Sequence, residues 1–260
     1  MFASLDPTVV LVLIVAVAIA GAVNGIAGFG FSVVGTMALA TAIDPAVAIV
    51  FMILPILAVN ISLVGELNQS QLRACGTRFG PFIFAVLIGT VIGMSVLQGI
   101  PEAPLQLVLG TIALGYVAGA QSMISLPGGG RFDAERTRNS LPLSIGIGSL
   151  SGVIFGGTNV GVQIVAYVRS YPLSHSVFVG VIALIFVGVN GIRVVIAGVF
   201  GYYPNIGLLG VSILASIPAL VGVAIGKRIR PRLRPTVREG LVLGLLIVIG
   251  TRLLLSGIGL

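Results

Sequence analysis

Asn24-Gly25-Ile26-Ala27-Gly28-Phe29-Gly30 sets three glycines and an asparagine where apolar stretches at about 8–25 and 30–43 meet. A second interruption, Phe155-Gly156-Gly157-Thr158-Asn159, separates 141–156 from 158–170. A helical crossing of a bilayer takes roughly 20 residues. The four stretches flanking the interruptions are shorter than that, whereas 46–66, 79–99, 104–126, 177–199, 205–226 and 239–257 reach it or nearly so. The pattern predicts six full spans and two glycine-broken helix pairs, an all-α polytopic membrane protein.

Composition points the same way. Of 260 residues, 57% are hydrophobic and 8% charged, against roughly a quarter charged in a soluble domain. A soluble fold could not cover its surface with so few charges. The net charge of +7 comes from 14 Lys and Arg against 7 Asp and Glu. These basic residues lie mostly in loops between apolar runs, which is a topology signal rather than a nucleic-acid footprint. One Cys and one His exclude a disulfide framework and leave a zinc site short of ligands, so no metal or other cofactor is expected. No Gly-Lys-Ser/Thr phosphate loop occurs, so ATP hydrolysis by this chain is not expected. Residues 1–7 carry no basic segment and no Ala-x-Ala site follows the first run, so that run is expected to be a permanent span.

The segment Lys227–Arg238 carries Lys227, Arg228, Arg230, Arg232, Arg234 and Arg238, and the positive-inside rule places it in the cytoplasm. Counting backward, 170–176, 127–140 and 67–78 are cytoplasmic too, provided each broken pair makes no net crossing. The pairs then read as re-entrant hairpins or as two short spans each, in a multi-pass protein of the inner or plasma membrane.

An internal repeat supports this count. Aligning Gly25 with Gly152, an offset of 127, lays Pro45 on Pro172 and Gly30 on Gly157. Val59-Asn60 and Val189-Asn190 match at 130, which requires a three-residue insertion. The expected organisation is a first repeat at 1–127, a cytoplasmic linker at 128–140 and a second repeat at 141–260. Each repeat holds a broken pair plus three spans, so the second is inverted. Glycines four apart, such as Gly21/Gly25, Gly89/Gly93, Gly148/Gly152/Gly156 and Gly222/Gly226, suit close helix packing.

Half-helices starting near Gly30 and Gly157 present free N–H groups and positive dipole ends. Inverted symmetry is expected to bring these ends together at mid-bilayer, where both would hold one anion. The predicted site uses backbone at Gly28, Gly30, Gly156 and Gly157, with side chains from Ser32, Thr158 and Asn159. Asn60 and Asn190 would orient anion oxygens. Arg193, three residues beyond Asn190 and on its face, would supply charge through its planar fork, or else snorkel to the interface. A kinked packing motif without ligand is the alternative at the breaks. Asp6, Asp44, Glu66, Glu102, Asp133, Glu135 and Glu239 fall in loops or at span ends, which favours an anion over a cation as cargo. His175 and Cys75, in cytoplasmic segments, read as a solvated histidine and a reduced thiol. No paired catalytic groups lie at depth, so no enzymatic activity is expected.

The run Val23–Ser32 followed by Asp44-Pro45 resembles the N-terminal repeat of the TauE/SafE family of sulfite exporters. Gly152 through Gly201 is similar to that family's second half, with the Gly156-Gly157 pair, Tyr167 and Asn190-x-x-Arg193. Family members often have two prolines where this chain has Thr158-Asn159. The resemblance implies secondary transport of sulfite, an organosulfonate or a related sulfur-containing anion, mainly outward, by alternating access around a central anion site. Outward movement fits the electrostatics, since one negative charge leaving against about 100 mV, inside negative, releases roughly 2.3 kcal/mol. A passive small-anion channel, a permease for carboxylates or other oxyanions, and a non-transporting membrane subunit are the rival readings. Expected partners are a small anion and the lipid bilayer, not nucleic acid; a homodimer stays open.

Overall fold

The computed structural model describes residues 7–28, 30–64, 69–97, 99–125, 140–203 and 206–259. The expectations for Asp6, Glu66, Asp133, Glu135 and the linker 128–139 lie outside the described residues, as do those for the side chains of Cys75, His175 and Glu239. The chain order is α1 (Pro7–Ala27), α2 (Phe31–Ala40), α3 (Pro45–Phe51), α4 (Ile53–Val64), α5 (Gln69–Leu97) and α6 (Glu102–Ser125). There follow α7 (Leu141–Thr158), α8 (Val162–Arg169), α9 (His175–Val199), α10 (Ile206–Ile229), a 3-10 turn (Arg230–Arg232) and α11 (Pro235–Gly257). No strand occurs among the described residues. Among them, eight helical segments are long and apolar enough to cross a membrane, counting α3 and α4 as one. Large apolar side chains such as Leu11, Phe84, Ile213 and Val248 are exposed, as a hydrocarbon solvent permits.

Two of those eight are corrections to the sequence reading. α1 has 21 residues and α7 has 18, about 32 Å and 27 Å at 1.5 Å per residue. Each is therefore a full-length span followed by a short helix, rather than half of a helix broken midway. Asn24, Gly25, Gly152, Gly156 and Gly157 look like interruptions in sequence but are helical. In lipid a glycine N–H has no competing water and keeps its bond within the helix.

The chain forms two compact units, and each draws on both sequence halves: Met1–Val59, Gln98–Leu126 and Gly201–Leu260 make one, Asn60–Leu97 and Pro127–Phe200 the other. In the first unit α1 packs along α10 and α6 along α11; in the second α5 packs along α7. Glycines set how closely these helices approach. A Cβ at Gly21 or Gly25 would land on the carbonyl of Ala219 or Val223, and one at Gly222 or Gly226 on that of Ala18 or Ala22. The second unit repeats the pattern: Gly152 and Gly156 sit on the carbonyls of Val86 and Thr90, and Gly89 and Gly93 on those of Ser149 and Val153.

The two sets correspond residue for residue when α1 is shifted by 131 onto α7 and α10 by 133 back onto α5. The offset of 127 is therefore one helical turn out of register. Glycines spaced by four match themselves after such a slip, so they could not fix the register. At 131, Gly28 falls on Asn159 and Gly30 on Gly161, and Asn60 on Asn190 at 130 leaves a gap of one residue in place of three. In both units residue numbers rise together along the packed pair, so α1 runs parallel to α10 and α5 to α7. In contrast, α6 and α11 are antiparallel, with Gly110 beside Gly250 and Leu254 and Gly257 beside Leu107. These are the directions that the basic-loop topology requires.

One long-range hydrogen bond follows from a proline. Pro55 cannot donate to the carbonyl of Phe51 four residues earlier, and the helix is interrupted at Met52. The freed carbonyl accepts from Ser212 Oγ of α10 at 2.5 Å, and Ser212 is fully buried.

Candidate functional site

In the second unit α7 ends at Thr158, and Asn159 caps it in a left-handed conformation, φ 60°. It is the one non-glycine residue with positive φ among the described residues, and asparagine tolerates that conformation better than most residues. The Asn159 N–H closes the helix on Phe155 C=O at 2.9 Å. Thr158 Oγ1 turns back to donate to Ile154 C=O at 2.6 Å and accepts from Val160 N–H at 3.2 Å. These bonds satisfy the break locally and leave the Asn159 side chain to act elsewhere.

It reaches Arg193. The guanidinium is fully buried, so the snorkelling alternative is excluded. Nη1 donates to Asn159 Oδ1 and to Asn190 Oδ1 at 3.3 Å, while Nη2 donates to Gly156 C=O at 3.4 Å. The Phe155 ring lies beneath, its centroid 5.3 Å from Cζ, a cation–π arrangement. Phe155 itself stacks on Phe186, centroids 5.0 Å apart. Asn190 Nδ2 donates to Phe186 C=O at 2.8 Å, so Asn190 is engaged at both ends and fixes Arg193. Four sequence-predicted residues, Gly156, Asn159, Asn190 and Arg193, are thus in one cluster.

The remaining predicted residues have other surroundings. Gly157 faces the carbonyl of Gly93 on α5, a packing position. Asn60 is buried in α4. Gly28 and Gly30 belong to the first unit, with φ 85° and 99°. There Asn24 Oδ1 accepts from Phe31 N–H across the break at 3.4 Å, and Ser32 is buried in the first turn of α2. A Cβ at Gly28 would lie 4.0 Å from the Arg230 guanidinium, and Gly25 abuts the Lys227 backbone. The first break is therefore level with the basic end of α10, which corrects its expected place at mid-span. Gly156 meets Thr90 and Met94, within a turn or two of the end of α5 at Leu97. The second break is likewise near a span end.

By the contact register Asn159 corresponds to Gly28, and by the Asn60–Asn190 match Arg193 corresponds to Leu63. The guanidinium cluster occurs in one half of the sequence. Phe155 was missed in sequence because a phenylalanine beside glycines looks like packing; a cation elsewhere with no acidic partner in its span was the available signal. Also unforeseen is a buried hydroxyl chain, Ser144 Oγ to Tyr167 OH at 2.7 Å and Tyr167 OH to Tyr171 OH at 2.9 Å. Phe82 stacks on Tyr167 with centroids 3.9 Å apart. Among the described residues no three His, Cys, Asp or Glu side chains gather to hold a metal.

Eight membrane-length helical segments among the described residues and exposed apolar flanks define a multi-pass membrane protein, with a cation buried among amides in its second unit. A family model, sulfite exporter TauE/SafE, matches residues 13–253. The chain belongs to that family, and it is a membrane transporter. Comparison with curated proteins and with solved structures found no match.

Proposed function

We propose that the chain is a secondary transporter of a small sulfur-containing oxyanion, sulfite or an organosulfonate, moved outward, and that Arg193 carries its binding. The single observation behind this reading is a fully buried guanidinium that donates to Asn159 Oδ1, Asn190 Oδ1 and the Gly156 carbonyl. Its planar fork matches an oxyanion edge. Asn190 and Phe155 hold it in place; Asn159, at the left-handed end of α7, is the partner that gives way. When an anion arrives, an oxygen replaces Asn159 Oδ1 on Nη1, three residues before the start of α8. Two inverted repeats, now in the 131 register, supply the architecture for alternating exposure to the two faces. Export of a dianion down a potential of about 100 mV, inside negative, gains roughly 4.6 kcal/mol, twice the single-charge value.

The test is a thermal-shift series on purified protein with sulfite, sulfate, thiosulfate, sulfonates and carboxylates, followed by counterflow in liposomes at clamped potential. Sulfur oxyanions should stabilise the wild type and exchange saturably. Ohmic, non-saturating flux would transfer the reading to a passive channel, and selective stabilisation by carboxylates would change the substrate class.

A further inference from the structure

The outer surface of the first unit carries a groove of about 580 Å3 between α1 and α10. Its walls include Ile14, Ile19, Leu214, Ile217, Val221 and Ile225, all of them exposed. Its floor includes Ala18, Ala22 and Gly222, small because the glycine contacts draw the two helices together. Every lining residue is apolar, and both helices are membrane-length, so the medium that fills the groove is hydrocarbon. From Val211 to Ile225 it runs about 21 Å along α10 at 1.5 Å per residue, enough for an acyl chain to span one leaflet of about 15 Å.

The groove has a charged end. On α10, Leu214, Ile217, Val221 and Ile225 recur at three- and four-residue steps, hence on one face. Three residues past Ile225 the same stripe ends in Arg228, which is exposed. Lys227, its exposed neighbour, points about 100° away around the helix. An apolar trough that finishes in one guanidinium beside the most basic segment of the sequence is complementary to a single kind of lipid. We propose that this groove is a binding site for an anionic phospholipid, its acyl chain lying along Ala18, Ala22 and Gly222 and its phosphate on Arg228.

The experiment is native mass spectrometry of the intact, delipidated protein. It is titrated with phosphatidylglycerol and with phosphatidylcholine carrying identical acyl chains. The wild type should retain phosphatidylglycerol about fivefold better, the worth of one basic side chain at an anionic surface. Arg228→Gln should reduce that preference to near unity, while Arg232→Gln, exposed but on the 3-10 turn, should leave it intact. Ala18→Leu, filling the floor, should lower retention of both lipids. The proposal is overturned by an undiminished preference in Arg228→Gln, by equal loss in Arg232→Gln, or by unchanged retention of both lipids in a folded Ala18→Leu variant. It is also overturned if Leu214→Cys gives a disulfide-linked dimer in liposomes, since a second copy would then occupy the groove.

Discussion

Replacing Arg193 with glutamine removes the charge while leaving a donor amide. In the unliganded protein the change has opposing effects on stability. Asn159, Asn190 and Gly156 lose their shared donor, at about 1–3 kcal/mol for each acceptor left unsatisfied, and the glutamine NH2 recovers part of this. The burial cost of a cation disappears at the same time. Absolute stability is therefore the wrong readout, and the ligand-dependent increment is the right one. A hydrogen bond to a charged group contributes about 1.5–3 kcal/mol; a loss of about 2 kcal/mol raises Kd roughly 30-fold. With sulfite at 100 times the wild-type Kd, binding stabilises the wild type by about 2.7 kcal/mol, and Arg193→Gln by only about 0.9 kcal/mol. Arg193→Lys keeps the charge but not the fork and should fall between them. The assay is denaturation of detergent-purified protein with and without the anion, the same preparation serving for both arms. A glutamine variant that retains the full increment would refute the role given to Arg193.

Other outcomes follow from the same contacts. Asn159→Gly accepts the left-handed backbone but removes an acceptor from the buried Arg193, at about 1–3 kcal/mol in the unliganded protein; with the competing amide gone, anion affinity should rise severalfold in a binding titration. Gly152→Ala places a methyl on the Val86 carbonyl and should cost about 1–3 kcal/mol by overpacking. Gly115→Ala meets nothing within 4 Å and should be neutral or stabilising by up to about 1 kcal/mol; denaturation of the two proteins side by side checks the contrast. Ser212→Ala should cost about 1–3 kcal/mol by orphaning the carbonyl that Pro55 frees, and Pro55→Ala in that background should recover most of it.

The sequence exposes some of these relations more readily than others. The all-α membrane class is legible because lipid imposes long apolar runs, although α1 and α7 read as too short to be full spans. The ends of α1 and α7 do fall inside the two glycine stretches, at Ala27 and Thr158; their depth is not legible, because Asn24, Gly25, Gly156 and Gly157 continue the helices instead of breaking them. The glycine pattern shared by the two halves is visible, yet its register is ambiguous by one turn because the glycine spacing is close to the helical period. Arg193 and Asn190 share a face by spacing alone. The contact between Arg193 and Asn159, 34 residues apart, required the turn at α7 to carry the asparagine there. Likewise Pro55 announces a free carbonyl, but nothing local names Ser212 as its donor.

The pairing of α1 with α10 has a consequence for biogenesis. The glycine face of α1 fits a helix made roughly 200 residues later, which at about 5–20 residues per second is a wait of some 10–40 s during synthesis. Until then α1 has its glycine face open to lipid or to the insertion machinery. A chain truncated before α10 leaves α1 permanently without that partner and its glycine face uncovered.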